Sequence, residues 1–123
     1  MNDPYDMVLA FHNKFGLYVG YNPHLVDTLT RELKIRLIEE ELEETKFAMR
    51  DNDIIEIADG LADLLYVVYG AAISYGIDIR PIFEEVHRTN MLKVGGAFRS
   101  DGKILKPSGW EQPKIKELLD KQS

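Results

Sequence analysis

The chain has 123 residues, a net charge of −6, 45% hydrophobic content and no cysteine. That length holds one domain with a real core. The acidic balance, without any basic stripe, excludes general nucleic-acid binding, and the missing thiols exclude disulfides, thiolate catalysis and zinc–sulfur sites. Residues Met1 to Asp6 show no cationic or apolar leader, and no apolar run reaches about 18 residues. A soluble, cytoplasmic protein is expected, with neither a membrane nor a nucleic-acid partner.

The hydrophobic period is helical nearly throughout. A first helix is expected from about Asp3 to Lys14, with Pro4 early in it and Val8, Phe11 and Phe15 three or four residues apart. Gly16 to Pro23, rich in Gly, Tyr and Asn, reads as a connection. A second helix covers roughly His24 or Asp27 to Arg50, and Asp51, Asn52 and Asp53 offer N-caps for a third. That third helix, from Asp53 to about Tyr75, is apolar on nearly every side, which suits a bundle centre or a subunit interface. Gly76-Ile77-Asp78 ends it and caps a fourth helix running to about Met91, with Pro81 in its first turn. A loop with Gly95-Gly96, Gly102 and Pro107-Ser108-Gly109 follows, and Pro113 opens a short last helix. The sequence therefore reads as a single all-α domain, 1–123: a four-to-five-helix bundle completed by homo-oligomerisation.

Acids interrupt the apolar pattern at two places. With about 100° per residue, Glu41 and Glu44 fall inside the stripe set by Leu33, Leu37 and Ala48, whereas Glu39 and Glu43 face away and Glu40 sits on the flank. The third helix carries Asp59 and Asp63 on one narrow stripe, with Glu56 slightly rotated from it. A helix dipole accounts for acids in the first turn but not for Asp63. Like charges gathered in a partly dry space repel unless something neutralises them. A hard divalent cation such as Mg²⁺ does so for a set of oxygen ligands. A metal-dependent enzyme is the expected class.

Cations collect in the last third: His87, Arg88, Asn90 and Lys93 near the end of the fourth helix, then Arg99, Lys103 and Lys106 in the glycine-rich loop. Lysine and arginine on such a loop suit the phosphates of a metal-bound polyphosphate; compensation of a helix C-terminus is the competing account of Arg88 and Lys93. Trp110 is expected to anchor the tail by packing.

The string Leu37-Ile38-Glu39-Glu40-Glu41-Leu42-Glu43-Glu44 resembles the E-E-x-x-E motif of the MazG-like, all-α nucleoside triphosphate pyrophosphohydrolases, with Glu40, Glu41 and Glu44 in register. Ala62 to Gly70 resembles that family's second metal helix. Glu84 to Lys93 and Asp101 to Trp110 resemble the phosphoribosyl-ATP pyrophosphohydrolase-like branch, which includes dUTP-cleaving members. The resemblance runs from about Phe11 to Trp110. It implies Mg²⁺-dependent cleavage between the α and β phosphates of a (deoxy)nucleoside triphosphate, dUTP being a candidate, to monophosphate and pyrophosphate, with Mn²⁺ able to substitute. It also implies a homodimer or homotetramer. Glu41, Glu44, Asp59 and Asp63 would hold the metal, and Glu40 would orient or deprotonate water. Lys93 and Lys106, with Arg88 and the neighbouring Lys103, would neutralise pyrophosphate, while Asn90 would read sugar or base.

One departure stands out: the family's E-x-x-D places Glu where this chain has Gly60. Glu56-Ile57-Ala58-Asp59 offers the same string one turn earlier, so Asp59 and Asp63 are expected as the pair and Glu56 as a subsidiary ligand. Hydrolysis of phosphoribosyl-ATP itself and a non-catalytic helical module are the alternatives. A ferritin-like di-iron site would need Glu-x-x-His twice, and only Glu84-x-x-His87 occurs.

Overall fold

Helix boundaries follow the capping chemistry closely. In a computed structural model that describes residues 3–123, the first two positions of the expected domain lie outside the described residues. Five helices form among those residues: α1 (Pro4–Phe15), α2 (Thr28–Arg50), α3 (Ile54–Ser74), α4 (Ile79–Asn90) and α5 (Ile115–Asp120). Asp3 accepts the Asp6 N–H at 2.9 Å, Asp27 accepts the Thr30 N–H at 2.7 Å, and Asp53 accepts those of Ile55 and Glu56 at 3.1 and 3.2 Å. Each carboxylate satisfies a donor that the first turn leaves unpaired, which fixes the helix start one residue later. His24 therefore lies outside α2; its ring donates from Nδ1 to the Asn22 carbonyl at 2.7 Å and accepts at Nε2 from the Tyr18 hydroxyl at 2.7 Å.

The chain divides into two compact units, one ending at Asp78 and one beginning at Ile79. In the first, α2 and α3 form an antiparallel hairpin across the short Asp51–Asp53 link. Their closest approach is Thr45 against Gly60: a β-carbon on Gly60 would lie 2.7 Å from Thr45 Oγ1 and 3.2 Å from its Cα. The face that α2 buries runs through Lys34, Thr45 and Ala48, with Glu41 half-buried between them. These residues recur at seven, eleven and fourteen positions from Lys34 and share one side of the helix. Leu33, Leu42 and Phe47 stay exposed instead.

Helix α1 packs on α3, with Phe11 edge-on to Tyr66 at 5.4 Å and His12 buried against Gly70. The connection between α1 and α2 is laid on the end of α3. The Gly20 N–H donates to the Ile73 carbonyl at 2.9 Å, and the Ser74 hydroxyl donates to that of Tyr18 at 3.0 Å. Gly76, at φ 70°, lies against the Asn22 carbonyl, where no β-carbon fits.

Little apolar surface is covered overall. Phe47, Ile54 and Ile55 are 73%, 75% and 76% exposed, and Leu61 and Leu65 also face water. Large apolar side chains left in water in this way are those that a second protein surface would cover.

In the second unit, α4 and the tail are tied by one hub. Arg88 grips Glu85 with two bonds of 2.8 and 3.0 Å and reaches Glu111 at 2.8 Å. Trp110 donates its indole N–H to the Thr89 carbonyl at 2.7 Å. The intervening loop is more ordered than its composition suggests. Phe98 and Ile104 pair as an isolated antiparallel bridge around an Asp101-Gly102 turn, with Gly102 at φ 94°. Helix α5 starts at Ile115 rather than at Pro113, after the Lys114 N–H has donated to Glu85 at 2.8 Å.

Candidate active site

The Thr45–Gly60 contact sets the register of the acids. Glu41 lies one turn before Thr45 and Asp63 three residues after Gly60. In an antiparallel pair both steps run the same way, about 6 and 4.5 Å along the axes. Glu41 and Asp63 therefore meet at one level. Glu56 lies toward the turn, about 10 Å along α3 from Asp63.

Glu41 is the electrostatic centre. Its Oε2 is buried and has no hydrogen-bond partner among the described residues. Its carboxyl is pushed above the ordinary range, first by burial, then by Glu44, Asp63, Glu40 and Asp59 in that order. An acceptor-only group without a donor, ringed by like charge, costs free energy in the bare protein. The expectation that the acids lie on buried faces holds best for this residue. Asp63 is half-buried, while Glu40, Glu44, Asp59 and Glu56 are exposed, as are the leucines near them, Leu42 on α2 and Leu61 on α3. Among the described residues, no three His, Asp or Glu side chains close into a ready-made metal cage.

Gly60 has no space for the glutamate that the family motif places there, since even a β-carbon would strike Thr45. The acids one turn either side of it, Glu56 and Asp63, and the adjacent Asp59 avoid that contact. Glu44 and Glu56 both line a cavity of about 610 Å³ at the α2–α3 turn, with Phe47, Ala48, Arg50, Asp51 and Asp53. Glu40 lies beside Glu39, Glu32 and Arg36 along a smaller cavity of about 290 Å³ on α2.

The cationic residues of the second unit divide by their partners. Arg88 is committed to Glu85 and Glu111, and Arg99 to Asp101 at 2.9 and 2.7 Å. The Arg88 guanidinium, aided by the Lys114 N–H, holds the Glu85 carboxyl down at about 2. Lys93 and Lys106 instead meet at Trp110, their ammonium groups 5.3 and 5.0 Å from the ring centroid, a cation–π geometry. Asn90 is exposed at the end of α4, and Lys103 is exposed beside the Asp101 turn.

Two polar residues in the core escaped the motif reading. His12 is 2% exposed and donates from Nδ1 to the Tyr18 carbonyl at 3.1 Å; Lys34 is 7% exposed. Burial pushes both below their ordinary pKa, and Lys34 lowers His12 further. The available signals were spacing: His12 falls four residues after Val8, and Lys34 falls seven before Glu41.

Comparison with known proteins adds two findings. A family profile described as phosphoribosyl-ATP pyrophosphohydrolase matches residues 8–90. The uncharacterized protein L479 of Acanthamoeba polyphaga mimivirus is 30% identical over 96 residues, which is 76% of this chain and 37% of that relative. The chain thus spans little more than a third of the relative's length. No helix among the described residues is long and apolar enough to cross a membrane.

Proposed function

Since the chain belongs to the phosphoribosyl-ATP pyrophosphohydrolase family, a MazG-like all-α group, we propose that it is a Mg²⁺-dependent nucleoside triphosphate pyrophosphohydrolase. It cleaves between the α and β phosphates of a (deoxy)nucleotide such as dUTP, releasing the monophosphate and pyrophosphate. The observation that carries this reading is the buried, donorless Oε2 of Glu41 among four other acids. All five are hard oxygen donors of the kind Mg²⁺ takes.

Glu41, Glu44, Asp59 and Asp63 would hold the cation, with Glu56 serving from the hairpin cavity. When bound, Mg²⁺ polarises phosphoryl oxygens and lowers the pKa of a coordinated water. Glu40, next to Glu41 on the helix flank, would orient the attacking water and take its proton. Lys93, Lys103 and Lys106 would bind phosphate oxygens as point charges, and Asn90 would offer an amide to sugar or base. Arg88 fixes the tail to α4 through Glu85 and Glu111 and would reach phosphate only by giving up one of those bonds. The uncovered apolar side chains of α2 and α3 support a homodimer or homotetramer.

The test is pyrophosphate release from a panel of nucleoside triphosphates and phosphoribosyl-ATP, with Mg²⁺ or with EDTA. Release confined to the Mg²⁺ arm is expected. Asp59→Asn and Asp63→Asn should each lower it at least ~100-fold, and Glu56→Gln clearly less. No release from any substrate would sink the reading, and release from phosphoribosyl-ATP alone would move it to the family's named reaction. Light scattering showing an active monomer would remove the oligomer.

A further inference from the structure

We infer that the cavity at the α2–α3 turn is the nucleoside pocket, in which a nucleobase stacks on Phe47 and Arg50 and Asp51 meet its polar edges. The inference rests on the nucleotide-hydrolase reading and refines it, moving base recognition from Asn90 to this cavity. Its volume, about 610 Å³, lies within the range of small-molecule sites. Two acids of the catalytic cluster, Glu44 and Glu56, form part of its wall. A nucleotide whose phosphates sit at those acids can place its sugar and base in the adjoining space.

Phe47 follows Glu44 by three residues, so it is the neighbouring side chain on the same helix flank, about 4.5 Å further along the axis. Its ring is 73% exposed and contributes little to the core. An aromatic face in water beside a phosphate-binding cluster is the element that single-base recognition uses, because every base has a π-face. Arg50 and Asp51 line the same wall, and neither forms an ion pair or side-chain hydrogen bond among the described residues. A guanidinium donates to ring carbonyls and nitrogens, and a carboxylate accepts an N–H or a sugar hydroxyl. A second copy of the chain is the poorer occupant. It would strip water from Glu44, Asp51, Asp53 and Glu56 and is itself of net charge −6, whereas a nucleotide arrives with its cation.

The probe is binding of nucleoside monophosphates to the full-length protein in Mg²⁺, by calorimetry, with inorganic tripolyphosphate as a base-free competitor. Phe47→Ala should weaken monophosphate binding roughly 10-fold, the scale of one base–aromatic stack, and leave tripolyphosphate unchanged. Phe47→Trp should bind at least as tightly as the parent. Equal losses for both ligands, an unaltered monophosphate affinity, or no monophosphate binding by the parent would overturn the inference. So would a Phe47→Ala protein of lower oligomeric mass by light scattering, which would make the cavity an interface. Pyrophosphate release tests the hydrolase reading separately, so the two can fail independently.

Discussion

Replacing Glu41 by glutamine separates a catalytic acid from a structural one. In the metal-free protein the Glu41 Oε2 is a buried acceptor with no donor, and Glu44, Asp63, Glu40 and Asp59 all act against its charge. A buried unsatisfied group costs about 1–3 kcal/mol. Glutamine removes the charge and brings an N–H₂ donor that the surrounding carboxylates can accept. The residue is half-buried and water relieves part of the strain, so a gain of about 1 kcal/mol is expected, near the low end of that range. For a chain of this size that is roughly 4 °C in Tm. Added Mg²⁺ should reverse the ranking. At one hundred times its Kd a ligand bound only by the folded state contributes about 2.7 kcal/mol, which the parent gains and the glutamine variant largely loses. Thermal unfolding of both proteins in EDTA and across a Mg²⁺ series reads all four corners, with pyrophosphate release measured alongside. A glutamine variant less stable in EDTA than the parent would refute the electrostatic account. One that gained as much from Mg²⁺ would place the metal elsewhere.

Four further outcomes are expected. Gly60→Ala should lower the denaturant midpoint: the usual helical gain of about 1 kcal/mol for this change is outweighed by the contacts at 2.7 and 3.2 Å with Thr45, overpacking that costs about 1–3 kcal/mol. Adding Thr45→Ala should recover part of the loss. Lys34→Met should raise Tm by replacing a buried ammonium that has no partner among the described residues with an apolar chain, a change worth about 1 kcal/mol or more. His12 titrates below 6.5 when folded, so its share of stability is present above pH 6.5. That share is lost as the pH falls from there toward the folded value, because the unfolded chain takes the proton first, and His12→Gln should flatten this slope in pH-dependent melts. In the second unit, carboxyl NMR should find Glu85 titrating at about 2 rather than 4.5. Arg88→Met should return it toward 4.5, and with it remove the stability that the parent keeps above 4.5 and loses as acid approaches 2.

The helices were legible because their ends are marked chemically: Asp3, Asp27 and Asp53 each cap the helix that follows. The acid centre was legible from spacing, since Glu41 and Asp63 fall at one level once two helices pair antiparallel. The packing face of α2 was not. Hydrophobic periodicity points to Leu33, Leu37 and Ala48, yet of these only Ala48 is buried, and the hairpin closes on it with Lys34 and Thr45. Close approach rewards small side chains, and a glycine opposite a threonine lets two backbones meet where leucines cannot. Gly60 looked like a missing ligand for the same reason, because a motif records which acids are absent and not which contacts forbid them. The role of Arg88 was hidden by distance in sequence, since Glu111 lies twenty-three residues away.

The boundary after Asp78 bears on how the chain is made. Helices α1, α2 and α3 all precede it, so their mutual contacts need nothing that is synthesised later. Local helical pairings of this kind form in about microseconds to milliseconds. A ribosome adding about 5–20 residues per second needs a few seconds for the remainder of the chain. During that interval the nascent protein carries a finished helical hairpin with Phe47, Ile54 and Ile55 in water. Neighbouring chains on one message, or a chaperone, can meet that surface before the tail has emerged.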